Sequence, residues 1–151
     1  MTAVRRITSA AFVVSAATWL AGCTASSDAQ VPDESDVATL VEQAYNSRDD
    51  MATLCGLASS RGICEAMFQG AGAAPTAQPE VVCTQPYEGH GDYTSGLLVR
   101  TVTKDSAGAD IVFDTLAVDT DQGARLMNVI YWVPLRVSYG DTTEDLVDLT
   151  C

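Results

Sequence analysis

The sequence predicts an α+β fold in which N-terminal helices pack on a curved, cone-like antiparallel sheet and disulfides staple the domain. Three observations predict it. Apolar residues recur at helical spacing between 37 and 58, and β-type alternation with turn signals begins only after residue 80. Four further cysteines follow Cys23. Helices that precede a run of strands are typical of α+β domains.

The N-terminal segment predicts export. Arg5 and Arg6 precede an uncharged stretch at 10–20, which is shorter than the roughly 20 apolar residues that span a bilayer. The stretch closes with Leu-Ala-Gly-Cys at 20–23, which resembles the lipobox of bacterial lipoproteins. Residues 1–22 are therefore expected to be a lipoprotein signal peptide, with plain secretion as the alternative.

Cys23 is the expected lipidation site, because cleavage before the lipobox cysteine would make it the first residue of the mature chain. Acyl chains contribute about 0.8 kcal/mol per buried methylene, and two or three chains give durable attachment. The expected location is the cell membrane, on its extracytoplasmic face. Residues 23–35 are small, polar and acidic, and predict a flexible tether. Residues 36–151 are expected to form a single domain.

The formal net charge of −12 restricts the classes of partner. Nucleic-acid binding needs clustered Lys and Arg, so it is not expected. Attachment to the membrane is expected through the lipid on Cys23 rather than through basic side chains. A small apolar ligand or another envelope protein remains a possible partner, and no feature of the sequence indicates an oligomeric state.

The cysteines after Cys23 predict two disulfides, because an even number of cysteines in an exported chain usually pairs. Three connectivities are possible. Cys55 and Cys64 are close in sequence, which favours their pairing and leaves Cys83 to pair with Cys151. Metal binding is not expected, since no pair has Cys-x-x-Cys spacing and the chain has one histidine.

Two helices are predicted. Val37, Leu40 and Val41 begin an apolar face that ends near Tyr45, with Ser35 as the expected N-cap. The spacing of apolar residues at 51–58 predicts a second helix to about residue 60, and Gly62 is a plausible helix stop. Residues 65–69 are expected to add one short helical turn.

The strands follow a Gly-, Ala- and Pro-rich loop at 70–79. Strands are predicted at 81–84, 97–104 and 111–118, separated by turn residues at 105–108 and 119–123. The most apolar strand is predicted at 126–133, ended by Pro134, with a continuation at 135–139.

The first helix, the Asn46-Ser47-Arg48-Asp49 turn and the following helix resemble the opening of the nuclear transport factor 2-like superfamily, which includes ketosteroid isomerase. The resemblance covers most of 36–139. Small exported lipoproteins with this domain occur in actinobacteria, and the chain resembles them. The resemblance implies a cone-shaped domain with a pocket.

The resemblance does not extend to the catalytic residues of the isomerases. Their oxyanion-hole tyrosine lies on the first helix, five residues before the turn asparagine, where this chain has Val41. Their general-base aspartate closely follows the second helix, where this chain has no carboxylate before Glu65. No catalytic residue and no cofactor is therefore expected, and the fold does not fix the reaction.

Four residues are expected to line a ligand pocket: Tyr45, Asp114, Tyr131 and Trp132. Asp114 shares a strand face with Val112 and Leu116. Its carboxyl either lies in the cavity, where burial would raise its pKa, or faces solvent, which we favour. Tyr131 and Trp132 are expected on opposite faces of one strand, where either could fill the core.

Two other patterns are weaker. Glu88, His90 and Asp92 could face one side of an extended segment as metal ligands, but their glycine neighbours favour an exposed loop. Residues 119–123 resemble part of a calcium loop but lack the closing glutamate, so a hairpin turn is favoured.

The sequence leads to three hypotheses about function. The first is a membrane-anchored, non-catalytic module that binds a small ligand or another protein. The second is a small isomerase- or dehydratase-type enzyme built on Asp114 and a tyrosine. The third is a structural partner of an envelope protein, with the cavity filled by the chain's own side chains.

Overall fold

A computed structural model describes residues 31–89, 94–134 and Leu149. This part of the chain is an α+β fold with three helices and one open, four-stranded antiparallel sheet in the order β1-β2-β3-β4. No helix among these residues has the length and hydropathy needed to cross a membrane. The elements are α1 (Glu34–Asn46), α2 (Met51–Cys55), α3 (Arg61–Gly70), β1 (Glu80–Tyr87), β2 (Gly96–Lys104), β3 (Asp110–Thr120) and β4 (Gly123–Leu126).

Helix α1 begins two residues before the predicted domain boundary at 36. Its N-cap is Asp33, whose carboxylate accepts a 2.9 Å bond from the Ser35 backbone N–H, so the prediction of Ser35 as the cap is wrong. Both side chains can cap a helix, and the one at Asp33 accepts the free backbone N–H of Ser35. The Ser35 hydroxyl also donates to Asp33 instead of capping the helix.

The predicted second helix is shorter than expected, and the predicted helical turn at 65–69 lies within a longer separate helix, α3. Helix α2 ends at Cys55, and α3 starts at Arg61, so Gly62 lies in the first turn of α3 and does not stop a helix. The chain between them bonds to the sheet: Leu126 N–H donates to Leu57 O at 3.1 Å, and Ser59 N–H donates to Leu126 O at 2.8 Å. Tertiary pairing with β4 therefore overrides the helical spacing of the sequence.

The two predicted hairpin turns are present. Strands β2 and β3 pair from Leu97↔Ala117 to Lys104↔Asp110, and the connection between them has Gly108 at φ 84°. The β3–β4 hairpin turns at 121–122, with Gly123 at φ 88°. The turn interpretation of 119–123 is thus confirmed.

The predicted strand at 126–133 is wrong beyond Leu126, where β4 ends. The Thr115 hydroxyl accepts from Asn128 N–H and donates to Asn128 O, both at 3.0 Å, so a side chain replaces the strand ladder. Tyr131 N–H then donates to Val129 O within a buried turn. A run at 126–133 in which every residue but Asn128 is apolar or aromatic carries no periodicity that separates a strand from a buried turn.

The two faces of the sheet carry separate apolar clusters. The larger one lies between the sheet and the helices, and includes Val37 from α1 and Phe113 from β3. The smaller one lies on the opposite face and contains Leu98, Leu116 and Leu149. Because side chains alternate along β3, Phe113 and Thr115 face the helices, and their neighbours face the other way.

One disulfide joins Cys55 to Cys64, with a Cα–Cα distance of 5.4 Å, and confirms the favoured pairing. Cys83 on β1 is also disulfide-bonded. Its predicted partner, Cys151, lies outside the described residues.

Gly96, at the start of β2, is expected to tolerate no side chain. An added Cβ would lie 2.3 Å from Ala117 O and 3.0 Å from a Leu116 methyl, and a backbone oxygen cannot move aside. We expect Gly96→Ala to lower the free energy of unfolding by about 2 kcal/mol, the range typical of overpacking. Urea denaturation checks this, with Gly62→Ala as control, because a Cβ there meets no atom within 4 Å. Equal stability of the two variants would contradict the expectation.

Candidate functional site: a cavity beneath helix α1

The candidate site is a small cavity between α1 and the sheet. The cavity has a volume of about 10 Å³, which is room for one water molecule at most. Its walls come from α1, β2, β3, β4 and the buried turn after β4: Val41, Ala44, Thr101, Phe113, Thr115, Leu126, Asn128, Val129 and Tyr131.

The polar groups of the cavity wall are largely engaged. Thr101 donates to Phe113 O at 3.4 Å, and Thr115 exchanges two bonds with the backbone of Asn128. These hydroxyls are occupied by structural bonds within the sheet and its following turn. The arrangement is therefore that of a packed core, and it presents no carboxylate to a ligand among its lining residues.

Tyr131 is the exception, because its buried hydroxyl has no hydrogen-bond partner among the residues that the structure describes. Its side chain is 3% exposed and lies in the turn that follows β4. Burial raises the pKa of the Tyr131 phenol to about 12, an effect that Arg48 reduces and that Tyr45 and Asp49 increase. The phenol is thus neutral and lacks a partner at neutral pH.

Tyr45 lies at the end of α1, beside Arg48. The Arg48 guanidinium carbon stands 4.5 Å from the centre of the Tyr45 ring, and Arg48 Nη1 donates to Tyr45 O at 2.9 Å. The Tyr45 hydroxyl donates to Thr76 O at 3.0 Å, which fastens the loop after α3 to α1. A structural role accounts for each of these contacts, and Tyr45 is not among the residues lining the cavity.

Trp132 also has a structural set of contacts. Its Nε1–H donates to Ala71 O at 3.1 Å, and its ring meets those of Tyr131 and Phe68 edge to face at centroid distances of 5.1 and 6.0 Å. The expectation that Tyr131 and Trp132 project from opposite faces of a strand is wrong, because both lie in a buried turn and contact each other.

Asp114 lies on the other face of the sheet. Its two carboxylate oxygens accept from Arg100 Nε and Nη2 at 2.8 and 2.9 Å, across the Arg100↔Asp114 pair of β2 and β3. Asp114 is 8% exposed, so it neither faces solvent nor reaches the cavity. The forked geometry is the strong form of this ion pair, and it occupies both oxygens.

The structure therefore brings Tyr45, Tyr131 and Trp132 to the helix side of the sheet and leaves Asp114 on the opposite side. Two residues that sequence reasoning missed are the arginines that organise these groups, Arg48 and Arg100. The register of two adjacent strands places Arg100 opposite Asp114. The pairing of the predicted strands 97–104 and 111–118 could have revealed it.

The remaining site residues are only partly described. Cys23, His90 and Asp92 lie outside the described residues. Within the ranges that the structure describes, no group of three His, Cys, Asp or Glu side chains is placed to hold a metal ion. A surface depression of about 270 Å³ is lined by residues that include Asp33, Asp36 and Asp119.

Comparison with protein-family models, with curated proteins and with solved structures finds no match to this chain.

Removal of the Tyr131 hydroxyl is expected to stabilise the domain. An unpaired buried polar group costs about 1–3 kcal/mol, so we expect Tyr131→Phe to raise the free energy of unfolding by about 1 kcal/mol at pH 7. The raised pKa of the Tyr131 phenol also makes the free energy of unfolding depend on pH. In the unfolded chain the phenol ionises near pH 10 but in the folded chain only near 12, so wild-type stability falls as pH rises through this window.

Tyr131→Phe should remove this part of the alkaline loss. Urea denaturation between pH 7 and 11.5 measures both effects, with Tyr45→Phe as the control that loses a satisfied hydroxyl. A less stable Tyr131→Phe variant at pH 7 would show that the hydroxyl has a bonding partner in solution.

Proposed function

We propose that this chain is an exported lipoprotein, held by lipid on Cys23 at the extracytoplasmic face of the cell membrane. Its folded domain acts as a non-catalytic module that binds another envelope protein. The lipobox-like Leu-Ala-Gly-Cys at 20–23 supports the anchor, and the small size of the cavity supports protein binding over small-molecule binding.

The small volume of the cavity is the main support for a protein-binding role. A drug-sized ligand needs a pocket of several hundred Å³ lined mainly by apolar side chains. The cavity beside Tyr131 admits one water molecule at most, and the surface depression of about 270 Å³ is lined by three aspartates and, among the described residues, by no aromatic side chain. Large side chains from both sides fill the surrounding space, including Phe113 and Ile130. This supports a cavity closed by the chain's own side chains.

The separation of Asp114 and Tyr131 also supports a non-catalytic role. The enzyme hypothesis needs a carboxylate and a tyrosine on one side of the sheet, within reach of the same substrate. Asp114 instead pairs with Arg100 on the opposite face, and the described residues that line the cavity include no carboxylate.

The resemblance to the nuclear transport factor 2-like superfamily is retained within this proposal. It assigns a cone-like curvature to the sheet, with α1 across the concave face. The contacts of α1 with β1 and β4, at opposite edges of the sheet, are consistent with such a curve. Small-angle scattering and a crystal structure of the full chain test the shape directly.

Lipidation is tested by detergent phase separation of the protein produced in its bacterial host. We expect the wild type to enter the detergent phase and its N-terminal peptide to carry acyl chains by mass spectrometry. Cys23→Ser should remain aqueous. Wild-type protein that stays aqueous and carries no lipid would overturn the anchor.

The binding role is tested by native mass spectrometry of protein extracted gently from its own membrane. We expect the mass of the lipidated chain, alone or with a bound protein, and no stoichiometric small molecule. The Cys23→Ser chain is the control for masses that come from co-extracted lipid. A small molecule bound to both proteins would favour the ligand-binding hypothesis instead.

A further inference from the structure

Helix α3 has few attachments to the rest of the domain. It packs mainly against α2, and Cys64 is its one fully buried residue. Cys64 is bonded to Cys55, which has no exposed surface. The first half of α3 therefore depends on this disulfide for its position.

The second half of α3 is held by Trp132. The Phe68 ring meets the Trp132 ring edge to face at 6.0 Å, and Trp132 Nε1–H donates to Ala71 O just beyond the helix. These contacts do not involve the first turn of α3, so the two ends of the helix have separate attachments.

Local sequence contributes little to the stability of α3. Ser60 at its N-cap makes no side-chain capping bond, and Ile63 is 59% exposed. The Arg61–Glu65 ion pair is exposed, and such pairs contribute little. A helix of 10 residues is marginal in water without tertiary contacts, so α3 needs the disulfide more than α1 does.

We propose that α3 is a redox-controlled unit, docked while Cys55 and Cys64 are joined and released from its N-terminal end when they are reduced. The reductant is a dithiol, either a small molecule or the active site of a thiol oxidoreductase. One thiolate of the dithiol attacks a sulfur of the bridge, forms a mixed disulfide and releases the other cysteine as a thiol. The second thiolate then displaces the remaining cysteine and closes the oxidised dithiol.

Two electrons and two protons pass from the dithiol to the two cysteines in this exchange. Because Cys55 and Cys64 are both buried, attack requires a prior opening of the N-terminal end of α3. Reduction then makes this opening persistent and uncovers Cys55.

Amide hydrogen exchange of the full chain tests the proposal by comparing wild type with Cys55→Ala/Cys64→Ala. A crosslink across a sequence separation of 9 shifts a local opening equilibrium by about a hundredfold. We expect peptides of α3 to exchange about a hundredfold faster in the variant, while β2 changes by less than about threefold. Cys83→Ala is the control, because it removes the other described disulfide cysteine and should leave the protection of α3 unchanged.

Three outcomes would overturn the proposal. Unchanged protection of α3 in the double variant would mean that the helix stays docked without the disulfide. Equal acceleration in α3 and β2, or failure of the variant to fold, would make the bridge a staple of the whole domain. A second measurement treats the wild-type protein with a limited amount of dithiothreitol and then with an alkylating reagent. We expect Cys55 and Cys64 to be alkylated while the amides of β2 remain protected from hydrogen exchange.

Discussion

Arg100→Met is expected to lower the free energy of unfolding by about 3 kcal/mol, because it leaves the Asp114 carboxylate buried without a charge partner. Loss of one member of a buried ion pair costs about 3–5 kcal/mol. The lower end applies here, since 26% of the Arg100 side chain remains in contact with solvent. Urea denaturation at pH 7 measures the loss.

A double-mutant cycle separates the ion pair from the packing around it. Arg100→Met/Asp114→Leu should recover most of the loss, because a buried ion pair and apolar side chains of similar volume are often equally stable. The coupling energy follows from the two single variants and the double variant. The exposed ion pair Lys104–Asp110 joins the same two strands and is the matched control. Its coupling energy should be less than about 1 kcal/mol. Equal coupling energies for the two pairs would contradict the interpretation.

Phe113→Ala is expected to lower the free energy of unfolding by about 4 kcal/mol and to create a ligand site. Phe113 is 2% exposed and lines the cavity beneath α1. Truncation to alanine leaves a void on the order of 100 Å³. The void lowers the free energy of unfolding by about 24 cal/mol per Å³, in addition to the lost transfer free energy of the removed atoms. A void of about 150 Å³ with apolar walls binds benzene, and the new void borders Val41, Leu126 and Val129 as well as polar groups, so benzene should restore part of the lost stability.

Phe113→Leu is the control, because it keeps most of the volume and should cost less than about 1.5 kcal/mol without benzene binding. Thermal denaturation with and without benzene gives both quantities. Stabilisation of the wild type by benzene would show that its cavity is already open, and it would favour the ligand-binding hypothesis.

The sequence predicts the order of the elements but not the places where tertiary contacts end them. The helical face at 37–45 and the strands at 97–104 and 111–118 match α1, β2 and β3 closely. These segments have strong periodicity and clear turns on at least one side. The predicted helix does not continue through 56–60, because the backbone of this segment bonds to Leu126. No local pattern in the sequence reveals that contact.

The candidate site was harder to predict than the fold. The alternation of β3 correctly predicts Asp114 on the same face as Leu116, but it does not predict the partner Arg100, which depends on the register with β2. The apolar pattern predicts a strand at Tyr131, so it predicts neither the buried turn nor the unpaired hydroxyl. A side chain's partners depend on register and on chain reversals, and these are set by contacts distant in sequence.

The bonds between residues 57–59 and β4 also affect whether another chain can add a strand at this edge of the sheet. The edge of a sheet normally offers free N–H and C=O groups to which another chain can add a strand. At Leu126 both groups are already bonded, to Leu57 O and Ser59 N–H. Arg125 Nη1 donates to Ala124 O at 2.8 Å and places a charge beside the same edge. This side of the sheet is therefore protected against intermolecular strand addition, the first step in aggregation through a sheet edge.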